Sequence, residues 1–300
     1  MKKQKIIDII ENSPETWYKD THDWISWFIG FCEASDPFVI TKDGVSFFEI
    51  TQEPHNGRLL TRIRNKLGFG QTIERENHNR NHNINSKYVK CFTVYRRQHL
   101  LFLGYLFNGN IRCPEKLKKF QKWLEILDKE KNSRDLIKVN IINKTRAITL
   151  DSAWLSGFME MKSCFDVRMV RDGRLKLNVK PQFSFSMYEN DKEILISIRD
   201  NLKISNNFVL KPRDRIYWYS TDISSEVRDS EDWWFRCETV SKFNTLFEYL
   251  DNFGFKSSKN IEFQRFCDIY RRFKNKEHLK VEGLEKIRIK INKLSDSSIR

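Results

Sequence analysis

The chain has 300 residues, 39% hydrophobic and 13% aromatic, with 23 Phe and 8 Trp. That is enough apolar material for one large core or two of ordinary size, and it excludes a disordered chain. With 54 Lys and Arg against 40 Asp and Glu, the net charge of +14 points to a polyanionic partner, because clustered cations gain free energy by releasing phosphate counterions.

The six cysteines are scattered and form no C-x-x-C pair, so zinc spacing is absent and a reducing compartment fits best. The longest apolar run, Trp24 to Cys32, falls short of the roughly 20 residues that cross a bilayer. The N-terminal MKKQKIIDIIENSPE lacks an apolar signal core, and its Asp8, Glu11 and Glu15 argue against an acid-poor presequence. The expectation is a soluble protein without a membrane partner, encoded in or confined to an organelle. Heavy use of Asn, Lys and Ile suits an AT-rich mitochondrial gene.

In chain order, WFIGFCEASDPF (27–38) closes an apolar helix with Asp23 as its expected N-cap. FVITKDGVSFFEITQ then alternates as a strand pair around Asp43-Gly44, a strong hairpin signal. A helical run from Arg58 to Leu67, strands near Gln71–Glu76 and Lys87–Tyr95, and helices near Gln98–Leu106 and Glu115–Leu127 follow. After a polar connector the order returns. Asp151 is the expected cap of a helix ending in WLSGFMEMKSCF (154–165), and a strand pair turns at Asp172-Gly173. Lys192–Leu202 reads as helix, strands lie near Phe208, Tyr217 and Phe235, and helices finish the chain.

The two opening stretches align Trp27 with Trp154, Gly30 with Gly157, Phe31 with Phe158, Glu33 with Glu160 and Phe38 with Phe165. The chain therefore divides into a first copy (1–127), a connector (128–148) and a second copy with C-terminal helices (149–300), a pseudo-dimer in one chain. Ser26, Gly30 and Ala34, like Ala153 and Gly157, recur every four residues, so these small residues share a face on which two helix backbones can approach.

Candidate nucleic-acid contacts cluster in the second copy. Leu175, Leu177 and Val179 alternate with Arg174, Lys176, Asn178 and Lys180, and Arg168 extends the cationic set, the pattern of a β-ribbon lying along a phosphate-lined groove. The first copy's hairpin carries no basic residue in either alternate set, and TDISSEVRDSED (221–232) is acidic, so a symmetric grip on duplex DNA is not expected. Tyr217 and Tyr219 are candidates for stacking on unpaired RNA bases, and Phe47 for a contact with a protein. In KLKKFQKW (116–123), Lys118 and Lys119 lie on an amphipathic helix that could clamp phosphates. His78 and His82 are four apart in a loop-like NHNRNHN, where an ordinary solvated loop is the better reading than a metal pair.

The segments WFIGFCEASDPF, LGFGQTIERE, FNGNI, KKFQKWLEIL, WLSGFMEMKSCF, FKSSKNIEFQRF and NKEHLKVEGLEKI together resemble the LAGLIDADG homing endonuclease and maturase family in its single-chain, two-repeat form. The resemblance implies an α+β fold of two αββαββα repeats whose antiparallel sheets form a saddle over nucleic acid. In active relatives the penultimate motif position is acidic, and one carboxylate from each helix binds the divalent metal that hydrolyses DNA. Here those positions hold Ser35 and Lys162. Glu33, Asp36 and Glu160 are nearby carboxylates, but each helical residue turns about 100°, which aims them elsewhere. Met161 stands where the family keeps a small residue, and Lys256 and Lys259 fall where active relatives carry a basic residue near the cleavage centre. The resemblance thus implies a non-cleaving nucleic-acid-binding protein with no cofactor, RNA favoured over DNA, acting as a group I intron maturase or within a ribonucleoprotein such as an organellar ribosome. Two alternatives stay open: a Mg2+-dependent homing endonuclease, and a protein-binding scaffold.

Overall fold

The computed structural model describes residues 15–77, 87–129, 140–172, 178–189, 191–204, 209–210, 233–238 and 240–298. The first half runs α1 (Glu15–Ser35), β1 (Phe38–Ile40), β2 (Ser46–Gln52), α2 (Gly57–Leu67), β3 (Gln71–Glu76), β4 (Tyr88–Val94), α3 (Arg97–Phe107) and α4 (Pro114–Lys129). The second runs α5 (Trp154–Lys162), β5 (Ser163–Asp172), β6 (Asn178–Glu189), α6 (Lys192–Asn201), β7 (Val209–Leu210), β8 (Trp233–Cys237), α7 (Asn244–Asn252), α8 (Lys259–Lys274) and α9 (Val281–Ser298).

Each half holds a four-stranded antiparallel sheet, ordered β1-β2-β4-β3 and β5-β6-β8-β7. The registers correspond residue by residue: Phe38 faces Phe48 in one half, and Phe165 faces Phe185 in the other. Gly44 takes φ 79° between β1 and β2, a conformation glycine adopts without a Cβ clash. Strand β2 alternates between buried Ser46, Phe48, Ile50, Gln52 and partly exposed Phe47, Glu49, Thr51, so one face packs under helices and the other lines the open side.

Aromatic clusters fill both cores. Phe38 sits 5.1 Å from Phe107 and Phe120 and 5.3 Å from Trp123. Its counterpart Phe165 lies 5.2–5.3 Å from Phe185, Phe263 and Phe266. Edge-on and tilted pairs of this kind add roughly 0.5–1.5 kcal/mol each beyond area burial.

Both expected helix caps are corrected. Helix α1 begins at Glu15, leaving Asp23 in mid-helix, because no Gly or Pro interrupts residues 15–22. Asp151 instead accepts a hydrogen bond from the Thr149 hydroxyl, and α5 starts at Trp154. The Tyr249 hydroxyl does the capping, accepting from the Ser156 N–H at 2.9 Å and donating to the Ser152 carbonyl at 2.8 Å. Burial among these groups pushes its phenol well above the ordinary tyrosine range.

His78, His82, Gly173, Arg174, Lys176, Phe208, Tyr217, Tyr219 and the acidic stretch 221–232 lie outside the described residues. Asn178 and Lys180 belong to β6, paired in register with Asp172 and Val170. Among the described residues no helix is long and apolar enough to cross a membrane.

Candidate nucleic-acid interface and helix-pair site

Helices α1 and α5 meet backbone to backbone. A Cβ built on Gly30 would lie 1.9 Å from the Trp154 carbonyl oxygen, and one on Gly157 would lie 1.9 Å from that of Trp27. No side chain fits either place, so the two glycines set the closeness of the pair.

That closeness lets each helix reach across to the other. The Trp154 indole N–H donates to Glu33 Oε1 at 2.7 Å, and the Trp27 indole N–H donates to Glu160 Oε1 at 3.2 Å. Glu33 Oε2 also accepts from the backbone N–H groups of Arg112 (3.0 Å) and Cys113 (2.8 Å), just before α4. Glu160 accepts from the Lys256 and Ser257 N–H groups and from the Ser257 hydroxyl, just before α8. Burial raises both carboxyls above the ordinary glutamate range, while these donors pull them back down. Both glutamates are thus occupied as interior acceptors and are not presented to a metal.

The third nearby acid is diverted as well. Asp36, at φ 56°, leaves the helix axis and pairs with Lys119 and, at 3.6 Å, with Lys116 of α4. Lys119 is therefore engaged with the protein, while Lys118 beside it is exposed.

Ser35 and Lys162 end the two helices in different chemical surroundings. The Ser35 hydroxyl donates back to the Cys32 carbonyl at 3.2 Å. The Lys162 ammonium lies 3.3 Å from Glu189 Oε2 and 5.0 Å over the Tyr188 ring. Glu189, 3% exposed, was not singled out in the sequence, although the register that aligns Phe48 with Phe185 aligns it with Gln52. Gln52 is equally buried and donates to Met161 Sδ at 3.1 Å, joining the two halves at this point. One helix end thus carries an alcohol bonded to its own helix, the other an ammonium and its carboxylate.

Such a set does not fit a divalent ion. A hard cation seeks anionic oxygens, serine offers none, and an ammonium repels it by about 4 kcal/mol at 4 Å with an effective dielectric near 20. Glu189, the carboxylate beside Lys162, is paired with that lysine.

The open faces of the two sheets differ too. On the first, Glu49 and Arg75 pair at 2.6 Å, Phe47 stacks on Tyr95 with centroids 5.1 Å apart, and Val45, Ile73 and Tyr95 are exposed. On the second, Arg168 pairs with Asp166 at 2.7 Å and Arg236 with Glu238 at 2.8 Å, beside Gln182 and Ser186. Both faces thus carry guanidinium–carboxylate pairs; the first adds exposed apolar and aromatic groups, the second polar ones.

Of the remaining candidates, Lys256 is exposed, with its ammonium 5.8 Å over the Trp27 ring. Lys259 is corrected from a phosphate contact to an interior group, donating to the Ser163 carbonyl (2.8 Å) and Glu262 (2.9 Å). Burial alone would lower its ammonium, but Glu262 raises it above the ordinary lysine value.

The model of the LAGLIDADG endonuclease family matches residues 155–270. The chain is 26% identical to a probable intron-encoded endonuclease 4 of Neurospora crassa over 90% of its own length and 43% of that protein. It is 25% identical to the intron-encoded RNA maturase bI4 of Saccharomyces cerevisiae over 61% of its length and 25% of that protein. The meganuclease I-CpaMI, solved bound to uncleaved DNA, superposes with a TM-score of 0.64 at 18% identity, over 89% of this chain and 98% of that one. I-SmaMI, bound to cleaved DNA, gives 0.64 at 14% identity over 89% and 95%. The second half of the chain thus matches the LAGLIDADG endonuclease family, and 89% of the chain has the fold of LAGLIDADG meganucleases. The chain spans less than half the length of the curated relatives it matches.

Proposed function

We propose that this LAGLIDADG-fold protein binds structured RNA without cutting nucleic acid, as a group I intron maturase or as an RNA-binding component of an organellar ribosome. The observation that carries the reading is the Lys162–Glu189 pair at one helix end, opposite Ser35 at the other, where hydrolysis would need two carboxylates. The Phe47–Tyr95 stack on the first open face supports RNA over duplex DNA, because it suits unpaired bases, whose faces any aromatic can meet.

The test is filter binding of intron RNA, ribosomal RNA and duplex DNA across a salt series, with a plasmid-nicking assay in Mg2+ and Mn2+. Tighter RNA binding that persists as salt rises, with no nicking, is expected. Equal, weak and wholly salt-driven binding to RNA and DNA would overturn the RNA preference. Metal-dependent nicking lost in Glu160→Gln would establish the endonuclease reading instead.

A further inference from the structure

A cleft of about 540 Å³ opens between the halves, lined by α1, α2 and the loop before α8. It lies on the helical side of the first sheet and is separate from the sheet's open face. Trp24 and Trp27 form its aromatic wall, and Arg62, Lys66 and Lys256 bring three cations to its rim. Arg62, Lys66 and Lys256 are exposed, Trp24 is half-buried, and no Asp or Glu is among the described lining residues. The volume is in the range of small-ligand sites, roughly 300–1,000 Å³.

The other half shows what this place looks like when the chain itself fills it. Arg112 corresponds to Lys256: its N–H holds Glu33 as that of Lys256 holds Glu160, and its guanidinium stands 5.0 Å over Trp154 as the ammonium of Lys256 stands over Trp27. Arg112 is nevertheless buried, because the segment leading into α5 crosses it and takes its hydrogen bonds at the Ala147 carbonyl (2.8 Å) and the Ser152 hydroxyl (3.0 Å). Ahead of Trp27 the chain is instead a continuous helix from Glu15, and Lys256 is left at the surface.

The geometry points to this cleft as a second RNA contact, taking one unpaired nucleotide with its base against Trp24 and its flanking phosphates at Arg62, Lys66 and Lys256. A base fits the indole edge or face, phosphates fit a rim of cations without acids, and Asn65 and Asn260 at the rim offer amide hydrogen bonds. The inference rests on the reading that the chain binds RNA.

The experiment uses the full chain and a labelled single-stranded octaribonucleotide, with intron RNA in parallel, read by fluorescence anisotropy across a salt series. Arg62→Glu with Lys66→Glu, both on exposed positions, should weaken octamer binding by at least about tenfold and reduce the salt slope by about 1.4, two phosphates at about 0.7 each. Trp24→Leu should weaken it by about tenfold through lost stacking while leaving the salt slope unchanged. Thermal melting of each variant checks folding, and 4-thiouridine in the octamer should crosslink to the Trp24 peptide.

If intron RNA binds and neither the charge reversal nor Trp24→Leu changes octamer affinity, the cleft assignment fails while the RNA reading stands. If no RNA binds the wild type, the RNA reading itself fails. Equal competition by a poly-glutamate peptide would make the cleft a general polyanion site and would also overturn the assignment.

Discussion

Glu33 and Glu160 occupy matching places in the two halves and have matching partners: the indole of the opposite helix and two backbone N–H groups ahead of the next helix. Two residues further on, Ser35 and Lys162 also match in position but share no partner type. The difference follows from where the groups point. Inside the helix pair, contacts of 1.9 Å between a built Cβ and a carbonyl leave one solution, and both halves adopt it. At the helix ends, Ser35 bonds back to its own helix, whereas Lys162 takes its partner, Glu189, from a neighbouring strand.

The hardest blow to this comparison would come from truncating the matched acids. Glu33→Ala and Glu160→Ala each strand an indole N–H and two backbone N–H groups in the interior, so each should lose about 4 kcal/mol, at about 1–3 kcal/mol per orphaned donor with some relaxation. Urea unfolding measures both. Losses that differ by more than about 2 kcal/mol would mean the halves are not equivalent at their centre.

At the unmatched position the effects should separate. Lys162→Met removes the counter-charge of buried Glu189 and should cost about 3 kcal/mol, with most of it restored by adding Glu189→Gln. Ser35→Ala removes one weak hydroxyl contact within its own helix and should change stability by less than about 0.5 kcal/mol. A double-mutant cycle showing no coupling between Lys162 and Glu189 would dissolve the contrast.

Much of this was legible in the chain. The repeat follows from WFIGFCEASDPF and WLSGFMEMKSCF, and β3 and the α2 and α6 helices lie within a residue or so of their sequence-based limits, because amphipathic period and turn residues are local signals. Ser35 and Lys162 could be read from the frame of the repeat alone. The partners that decide their roles could not. Tyr249 caps a helix 93 residues away, Trp27 finds Glu160 at a separation of 133, and Lys162 meets Glu189 from a neighbouring strand. Extending the repeat past Phe185 would have brought Glu189 opposite Gln52, but only the register gives that pairing meaning.

A gentler probe of the matched acids is pH. Both folded carboxyls are raised, so between the ordinary glutamate pKa and the folded value the native state holds protons that the unfolded chain has released. Stability should therefore fall as pH rises through that window, by at most about 1.4 kcal/mol per pH unit for each glutamate. Glu33→Gln and Glu160→Gln should each flatten that part of the curve by a similar amount, read as Tm against pH. A wild-type curve that instead climbs across the window would mean that the N–H donors outweigh burial.

The smallest expected effect separates the two open faces. Arg75 is 46% exposed where it meets Glu49, so solvent screens the pair and Arg75→Ala should cost no more than about 1 kcal/mol of stability. Its consequence for binding is more informative than its consequence for folding. If the first face meets bases through Phe47 and Tyr95, removing Arg75 leaves a net negative Glu49 beside the stack and should weaken RNA binding only slightly, with little change in salt slope. Arg168→Ala on the second face, where Gln182 and Ser186 stand in place of an aromatic stack, should lower the slope by close to one phosphate. Equal slope changes from the two substitutions would show that both sheets grip phosphate, and the chemical contrast between them would then have no bearing on what is bound.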